Sequence, residues 1–416
     1  MKIAIISRSD STGGAAVASR RLTEALRAQG HEATMLVVEK KTDLPFVVKT
    51  EHRILEPLAF YAERAGIYLH NGCSRRNLFK VDTGAYGLPL WKHPVVTEAD
   101  AIILNWVNQG MLSLPGIKKI CELGKPVVWT MHDMWEITGI CHHSMDCDHY
   151  KEDCGNCPLL GRGEGIRDLS WRTYCRKLDM YKETDIRFVA VSNWLLAKAE
   201  ESSLMRGRKV SMIHNPFEIP SESGESKKEG RRRILFSAAT VDNWIKGLDI
   251  LKEAVKVLTE KYPETASGTE LAFAGVVKNP ESLEGFALPI VELGYTESEK
   301  EMRRHYEEAD VIVNSSYFES FGCILMEGQA FGCVPVAFNR GGQSDIIEHL
   351  ATGYLAEWDD DPGQRAAKLA EGIKWGLDNR SDLLTRKMRE SVEQKFGYAK
   401  IAEKYIQLFE EFHVNK

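Results

Sequence analysis

The residues with most evident chemistry lie in Ser316-Tyr317-Phe318-Glu319-Ser320-Phe321-Gly322-Cys323-Ile324-Leu325-Met326-Glu327, a segment that reads as a loop leaving a buried strand and opening a helix. Such a junction offers the amide groups of a first helical turn and the positive end of a helix dipole, which suits a diphosphate. Glu319 falls in the loop and Glu327 in the first turns of the helix. Two carboxylates so placed accept hydrogen bonds from sugar hydroxyls while the amides hold phosphate. Gly322 lets the main chain approach a ligand closely. Upstream, Trp244-Ile245-Lys246-Gly247-Leu248 also joins a strand to a helix, so the Lys246 ammonium serves as a point charge for phosphate at the same strand ends. A single Glu or Lys is most often a solvated surface charge, whereas this joint placement favours a site.

Thiols form a second concentration. Four of the nine cysteines are Cys141, Cys147, Cys154 and Cys157, the last two within Cys-Gly-Asn-Cys. A Cys-x-x-Cys turn is well shaped to chelate one tetrahedral ion, and the polar, glycine-containing surroundings have little apolar content to order the loop, so a structural zinc is expected. Free thiols, or disulfides in an oxidising compartment, are the alternatives, and His142, His143 and His149 rank below the thiols as ligands. Cys73, Cys121, Cys175, Cys323 and Cys333 lack partners at metal-like spacing and read as packing residues.

The elements that must position these groups alternate. Strand-like runs at 3–7, 34–38, 101–104, 126–131 and 187–192 are separated by helical patterns, including one near 15–29 that ends at Gly30. A polar stretch at 221–233 interrupts, and the alternation restarts with strands at 234–237, 271–275, 291–293, 311–314 and 334–338. This predicts an α/β chain with parallel sheets covered by helices. The expected divisions are 1–214, with a Cys-rich insertion at about 138–162, and 215–397, joined by a hinge where Pro216 and Pro220 disfavour helix. Residues 398–416 place Ile401, Tyr405, Leu408 and Phe412 at helical spacing and are expected to pack back on the first domain. Open α/β sheets bind ligands beyond the carboxyl ends of their strands, so two doubly wound domains are expected to share one cleft.

Composition removes several classes. Of 416 residues 43% are hydrophobic, which excludes wholesale disorder, and a net charge of -6 argues against a nucleic-acid partner. No apolar run approaches the ~20 residues of a membrane helix. The opening apolar stretch, residues 3–6, is too short for a signal-peptide core, so a cytoplasmic protein is expected. Residues 9–16 lack the G-x-G-x-x-G spacing of a nicotinamide-dependent dehydrogenase.

With Glu327 eight positions after Glu319, Phe318-Glu319-Ser320-Phe321-Gly322 resembles the paired-glutamate motif of retaining glycosyltransferases of family 4, which have the GT-B fold of two Rossmann-like domains facing a central cleft. The resemblance spans nearly the whole chain, through Gly13-Gly14, Thr130-Met131-His132-Asp133, Lys246-Gly247 and Gly341-Gly342. It is nearest to the colanic-acid-type branch of polysaccharide-building enzymes, through Trp129-Thr130-Met131-His132-Asp133 and the four cysteine spacings that follow. The resemblance implies a hexosyltransferase taking a UDP- or GDP-sugar donor and a glycan or lipid-linked oligosaccharide acceptor, with no divalent metal in catalysis. By the same resemblance Glu327 holds the ribose, Glu319 contacts the donor sugar, and Lys246 with the amides of Gly322, Cys323 and Ile324, beside Phe321, holds the pyrophosphate. Gly13 and Gly14 approach it from the other domain, and His132 matches a histidine near the donor sugar. The Arg that usually precedes the Lys is missing from 237–245.

Cleaving the anomeric bond releases a nucleotide diphosphate, whose charge Lys246 and a helix amino terminus can stabilise. Retention then needs front-side attack by the acceptor hydroxyl, with Glu319 a sugar clamp and His132 a general base or hydroxyl contact. On the acceptor side, Asn105 and Trp106 form either a sugar platform or interdomain packing. Apolar residues at helical spacing over 53–68 and the basic Ser74-Arg75-Arg76-Asn77-Leu78-Phe79-Lys80 suggest peripheral membrane contact, against the plainer reading of solvated faces. The competing functions are a non-catalytic subunit that binds a nucleotide sugar and a GT-B-fold epimerase or phosphorylase.

Overall fold

The computed structural model describes residues 1–161, 165–220, 231–296 and 298–414. Most of the polar stretch read at 221–233, the end of the Cys-rich insertion at 162 and the last two residues of 398–416 lie outside the described residues. The chain divides into two compact units, Met1–Pro216 with Tyr398–Lys416, and Phe217–Gly397.

Among its described residues the first unit has seven strands: β1 (Lys2–Ile6), β2 (Glu32–Val37), β3 (Val47–Lys49), β4 (Ala101–Leu104), β5 (Val127–Met131), β6 (Ile186–Ala190) and β7 (Val210–Met212). Every pairing is parallel, in the order β3-β2-β1-β4-β5-β6-β7. The β4 sequence Ala-Ile-Ile-Leu is buried throughout, as expected for a strand covered by helices on both faces. Strand order reverses between β1 and β4, so the loops leaving these strands open the crevice where such sheets take ligands.

Among its described residues the second unit has six parallel strands: β8 (Arg232–Thr240), β9 (Thr269–Val276), β10 (Ile290–Gly294), β11 (Val311–Asn314), β12 (Val334–Phe338) and β13 (Tyr354–Ala356). Their order is β10-β9-β8-β11-β12-β13, and the reversal falls between β8 and β11. The sheet buries Phe236, Phe273, Val313 and Val336 against Leu251, Val255 and Leu258 of helix Leu248–Lys261 and Leu369 and Ile373 of helix Pro362–Asn379.

The last helix, Tyr398–Val414, belongs to the first unit. Ile401, Tyr405 and Phe409 are buried in one core with Ile3, Leu22 and Val128. The Tyr405 hydroxyl is 2.8 Å from Thr130 Oγ1, and Tyr398 donates to Glu24 at 2.9 Å. Among the described residues no helix is long and apolar enough to cross a membrane.

Candidate functional site

In the second unit, the loops leaving β8 and β11 carry the residues singled out by their spacing. Lys246 ends a short turn, Trp244–Lys246, and Gly247 follows with left-handed backbone. A side chain at Gly247 would place its first carbon 2.0 Å from the Ser315 carbonyl oxygen, so only glycine allows the two loops to lie this close. They are joined by Tyr317 N–H to the Ile245 carbonyl at 2.8 Å and Ser315 Oγ to the Gly247 carbonyl at 2.7 Å. The result is an ion pair across the reversal point, Lys246 Nζ to Glu319 Oε2 at 2.9 Å, with Asn314 Nδ2 also donating to that carboxylate at 3.2 Å.

Gly322 then caps helix Cys323–Ala330 with left-handed backbone, no side-chain cap and no acidic residue in the first turn. The dipole end beside Phe321, Cys323 and Ile324 therefore has no acidic partner within its own first turn. Glu327, nearly buried further along the same helix, accepts the Tyr306 hydroxyl at 2.8 Å. The loop after β12 closes the group, with Gly342 N–H on the Glu319 carbonyl at 3.0 Å. Next to Gly341, Arg340 stacks 3.9 Å over Trp358 and lies 5.8 Å from the Phe318 ring. The sequence offered no sign of this guanidinium, because it follows a different strand from the others.

In the first unit, Asn105 N–H binds the Ile6 carbonyl and Arg8 N–H the Trp106 carbonyl, tying the loops after β1 and β4 together at their reversal point. Gly13 caps helix Gly14–Ala28 at φ 89° without a side-chain cap, and nothing lies within 4 Å of where a Cβ would stand. His132 leaves β5 beside this pair and its Nε2 donates to Asn105 Oδ1 at 2.9 Å, which makes Nδ1 the basic nitrogen. Burial pushes the His132 imidazole down to about 4, against a smaller opposing pull from Asp133, so the ring is neutral at pH 7. The Asn105 Nδ2 and the whole Asn108 amide are buried without a hydrogen-bond partner.

Asp133 is tied from three sides, by Trp106 Nε1 at 2.9 Å, Trp135 N–H at 2.8 Å and His142 Nδ1 at 2.9 Å. The other His142 nitrogen reaches Asp82 Oδ2 at 2.8 Å. Burial alone would lower the His142 pKa, but the Asp133 charge and the bonds to both carboxylates push it up to about 10, so it is an imidazolium held between two aspartates. A ring with both nitrogens engaged in this way has no lone pair for a metal. This corrects its ranking as an alternative ligand. The separation of 60 positions from Asp82 to His142 hid the arrangement; only the recurrence of His after His132-Asp133 hinted at it. Buried Lys177 completes the support by donating to the Trp135 and Thr138 carbonyls.

Cys141, Cys147, Cys154 and Cys157 line one cavity of ≈ 20 Å³ with His149 and Tyr150, space for about one atom-sized guest. Among the described residues, however, no group of three or more His, Cys, Asp or Glu side chains is arranged as a metal shell. Cys73 is exposed, not a packing residue.

Comparison with known proteins follows these boundaries. Residues 12–219 match the family described as Glycosyltransferase Family 4, and residues 218–395 match Glycosyl transferases group 1. A putative colanic acid biosynthesis glycosyl transferase, WcaC, of Escherichia coli (strain K12) is 21% identical over 280 residues, 64% of each chain. The match thus spans less than two thirds of that relative's length. Among solved structures, Anabaena Alr3699/HepE in complex with UDP and glucose superposes with a TM-score of 0.58 at 15% identity, over 98% of both chains. WaaG, a glycosyltransferase involved in lipopolysaccharide biosynthesis, superposes with a TM-score of 0.59 at 14% identity, over 98% of this chain and 99% of its own. At these identities the structural likeness speaks to the fold.

Proposed function

The chain belongs to the glycosyltransferases of family 4, with a group 1 glycosyl transferase domain as its second half, and from that premise we propose that it is a retaining hexosyltransferase of surface polysaccharide biosynthesis. It moves a sugar from a UDP- or GDP-sugar to a glycan or lipid-linked oligosaccharide, at the cytoplasmic face of a membrane. The observation that carries this reading is the Lys246–Glu319 pair at the reversal point of the second sheet, beside a helix amino terminus with no side-chain cap. Phosphate oxygens compete with Glu319 for Lys246, and the freed carboxylate turns to the sugar hydroxyls. Glu327, already oriented by Tyr306, takes the ribose.

In the first unit, His132 acts through Nδ1 on the incoming hydroxyl, and Gly13 and Gly14 offer amides to phosphate. The partnerless Asn105 Nδ2 and Asn108 amide suit acceptor hydroxyls, since buried polar groups normally find partners. Trp106, its indole N–H spent on Asp133, contributes ring surface only. The UDP and glucose complex of HepE, and the colanic acid and lipopolysaccharide biosynthesis of the relatives WcaC and WaaG, support the choice of donor and pathway. A structural zinc at Cys141, Cys147, Cys154 and Cys157 is part of the proposal, supported by their convergence on one cavity. Metal analysis of folded, purified protein that finds no zinc removes it.

The main test replaces Lys246 by Met and Glu319 by Gln. The pair is partly exposed and is worth no more than about 1 kcal/mol to folding. Transfer falls by about 10²–10³-fold if the pair meets charge that develops in the transition state. Undiminished cellular function in the double variant points instead to a non-catalytic subunit. Epimerised donor formed without acceptor points to an epimerase.

A further inference from the structure

The helix Leu55–His70 is inside out. Its buried residues are Glu63, Arg64 and Ile67, two of them charged. Outward it shows Ile54, Leu58, Tyr61 and Leu69, each 59–75% exposed, with exposed Ala65 continuing the row. These positions lie within about one quarter of the helix circumference at 3.6 residues per turn, along a rod about 24 Å long. Buried charge and an exposed apolar row are the two informative departures from ordinary burial, and a contiguous row marks a contact surface.

The inner side shows what holds the helix in place. Glu63 accepts from the Thr83 hydroxyl at 2.7 Å and from the amides of Gly84 and Ala85 at 3.2 Å. Arg64 reaches the Leu78 carbonyl at 2.5 Å and pairs with Asp82, the aspartate that also binds His142. At Gly110 the backbone of the loop after β4 abuts Ala59 and Phe60 so closely that no side chain would fit. The helix therefore stands directly over the loop of Asn105 and Trp106.

Charge selects what covers the row. The exposed Arg53 precedes its start, and the exposed Arg75 and Arg76 follow its end, in a chain whose net charge is -6. The turn with the two arginines is fixed by Asn71, which donates to the Ser74 and Arg76 carbonyls and accepts from Gly161 N–H of the Cys-rich insertion. Beyond it, Phe79 is also exposed. Apolar side chains flanked by a cationic cluster fit the headgroup layer of an anionic membrane.

We infer that the outward face of residues 54–69, with Arg75, Arg76 and Phe79, docks on the surface of a bilayer that contains anionic lipid. It brings the loop of Asn105 and Trp106 to an acceptor anchored in that bilayer. The acceptor part rests on the proposed glycosyltransferase function; the docking itself does not.

The test is flotation of the full chain with vesicles of phosphatidylcholine alone and of phosphatidylcholine with phosphatidylglycerol. The protein floats with the anionic vesicles and is released by high salt. Arg75→Gln/Arg76→Gln lowers partitioning about 25-fold, at about five-fold per cation. Leu58→Asp/Tyr61→Asp stays at the bottom of the gradient while its melting temperature and donor binding are unchanged. Leu383→Asp, at an exposed apolar residue of the second unit, floats like the parent. Equal flotation with neutral vesicles, or continued flotation of Leu58→Asp/Tyr61→Asp, overturns the inference. So does a dimer in sedimentation velocity that this variant dissolves, since a second copy then covers the row. Flotation without any sugar transfer sinks the proposed function and leaves the docking intact. Transfer to a water-soluble acceptor without flotation does the reverse.

Discussion

Gly247→Ala tests whether close apposition of the loops after β8 and β11 creates the Lys246–Glu319 pair. The added carbon would stand 2.0 Å from Ser315 O and 2.8 Å from Ser315 C, both backbone atoms that cannot rotate away. Against an ordinary carbon–oxygen approach of about 3.3 Å, the loops must part by about 1.3 Å. Alanine also pays about 1–2 kcal/mol for the left-handed backbone at φ 67°. Stretching the two bonds from Tyr317 and Ser315 costs about 1 kcal/mol each. The second unit should lose about 3–4 kcal/mol of stability, read as a shifted transition in urea. Donor binding and kcat/KM should fall more steeply, since a shift near 1 Å at a site costs about 10²-fold. Gly268→Ala is the control in the same unit, because its φ is also positive yet nothing lies within 4 Å. If Gly247→Ala matches Gly268→Ala in both stability and donor affinity, the reasoning from loop apposition is refuted.

The remaining predictions concern the first unit. With its imidazole held down near 4, His132 remains neutral through the physiological range, so the acid limb of kcat/KM should lie near pH 4; a limb at pH 6–7 in a pH–rate profile excludes it as the base. The same depression makes protonation favour the unfolded chain, so stability present above about pH 6.5 declines as pH falls toward 4, by at most about 3 kcal/mol, and the His132→Gln variant should lack that slope in urea titrations. His142→Gln leaves Asp133 buried without this cation, while Asp82 keeps Arg64, and should cost about 3–5 kcal/mol in chemical denaturation. A cost below about 1 kcal/mol would show that water already screens the pair. Phe409→Ala should remove about 3–5 kcal/mol; in calorimetry only the transition of the first unit should move, and a shift confined to the second would contradict the division of the chain.

The fold class could be read because strands buried on both faces leave continuous apolar runs, such as Ala-Ile-Ile-Leu in β4 and Val-Val-Trp-Thr-Met in β5. The strands β3, β7 and β13 left no such trace: each has three residues, and each lies at the edge of its sheet. Lys246 and Glu319 stood out because both fall just after strands. That they touch depends on β8 and β11 being neighbours, which is a property of topology. The Asp82–His142–Asp133 cluster was hidden because carboxylates and an imidazole far apart in sequence have no periodicity to betray them. His142 shows the cost of judging by neighbourhood, since it sits beside a cysteine yet is consumed by aspartates. The inward Glu63 and Arg64 were equally unreadable. Helical spacing over 53–68 revealed an apolar row, but not that the row faces outward.

The helix Tyr398–Val414 has a consequence for how the molecule is made. The side chains of Ile401, Tyr405 and Phe409 seal a core whose other walls, Ile3 and Leu22 among them, are synthesised first. All of residues 217–397 must leave the ribosome before that seal arrives. The earlier-made unit is therefore the later one to be completed, and through most of translation its sheet waits with part of one apolar side bare, in need of shelter from neighbouring nascent chains.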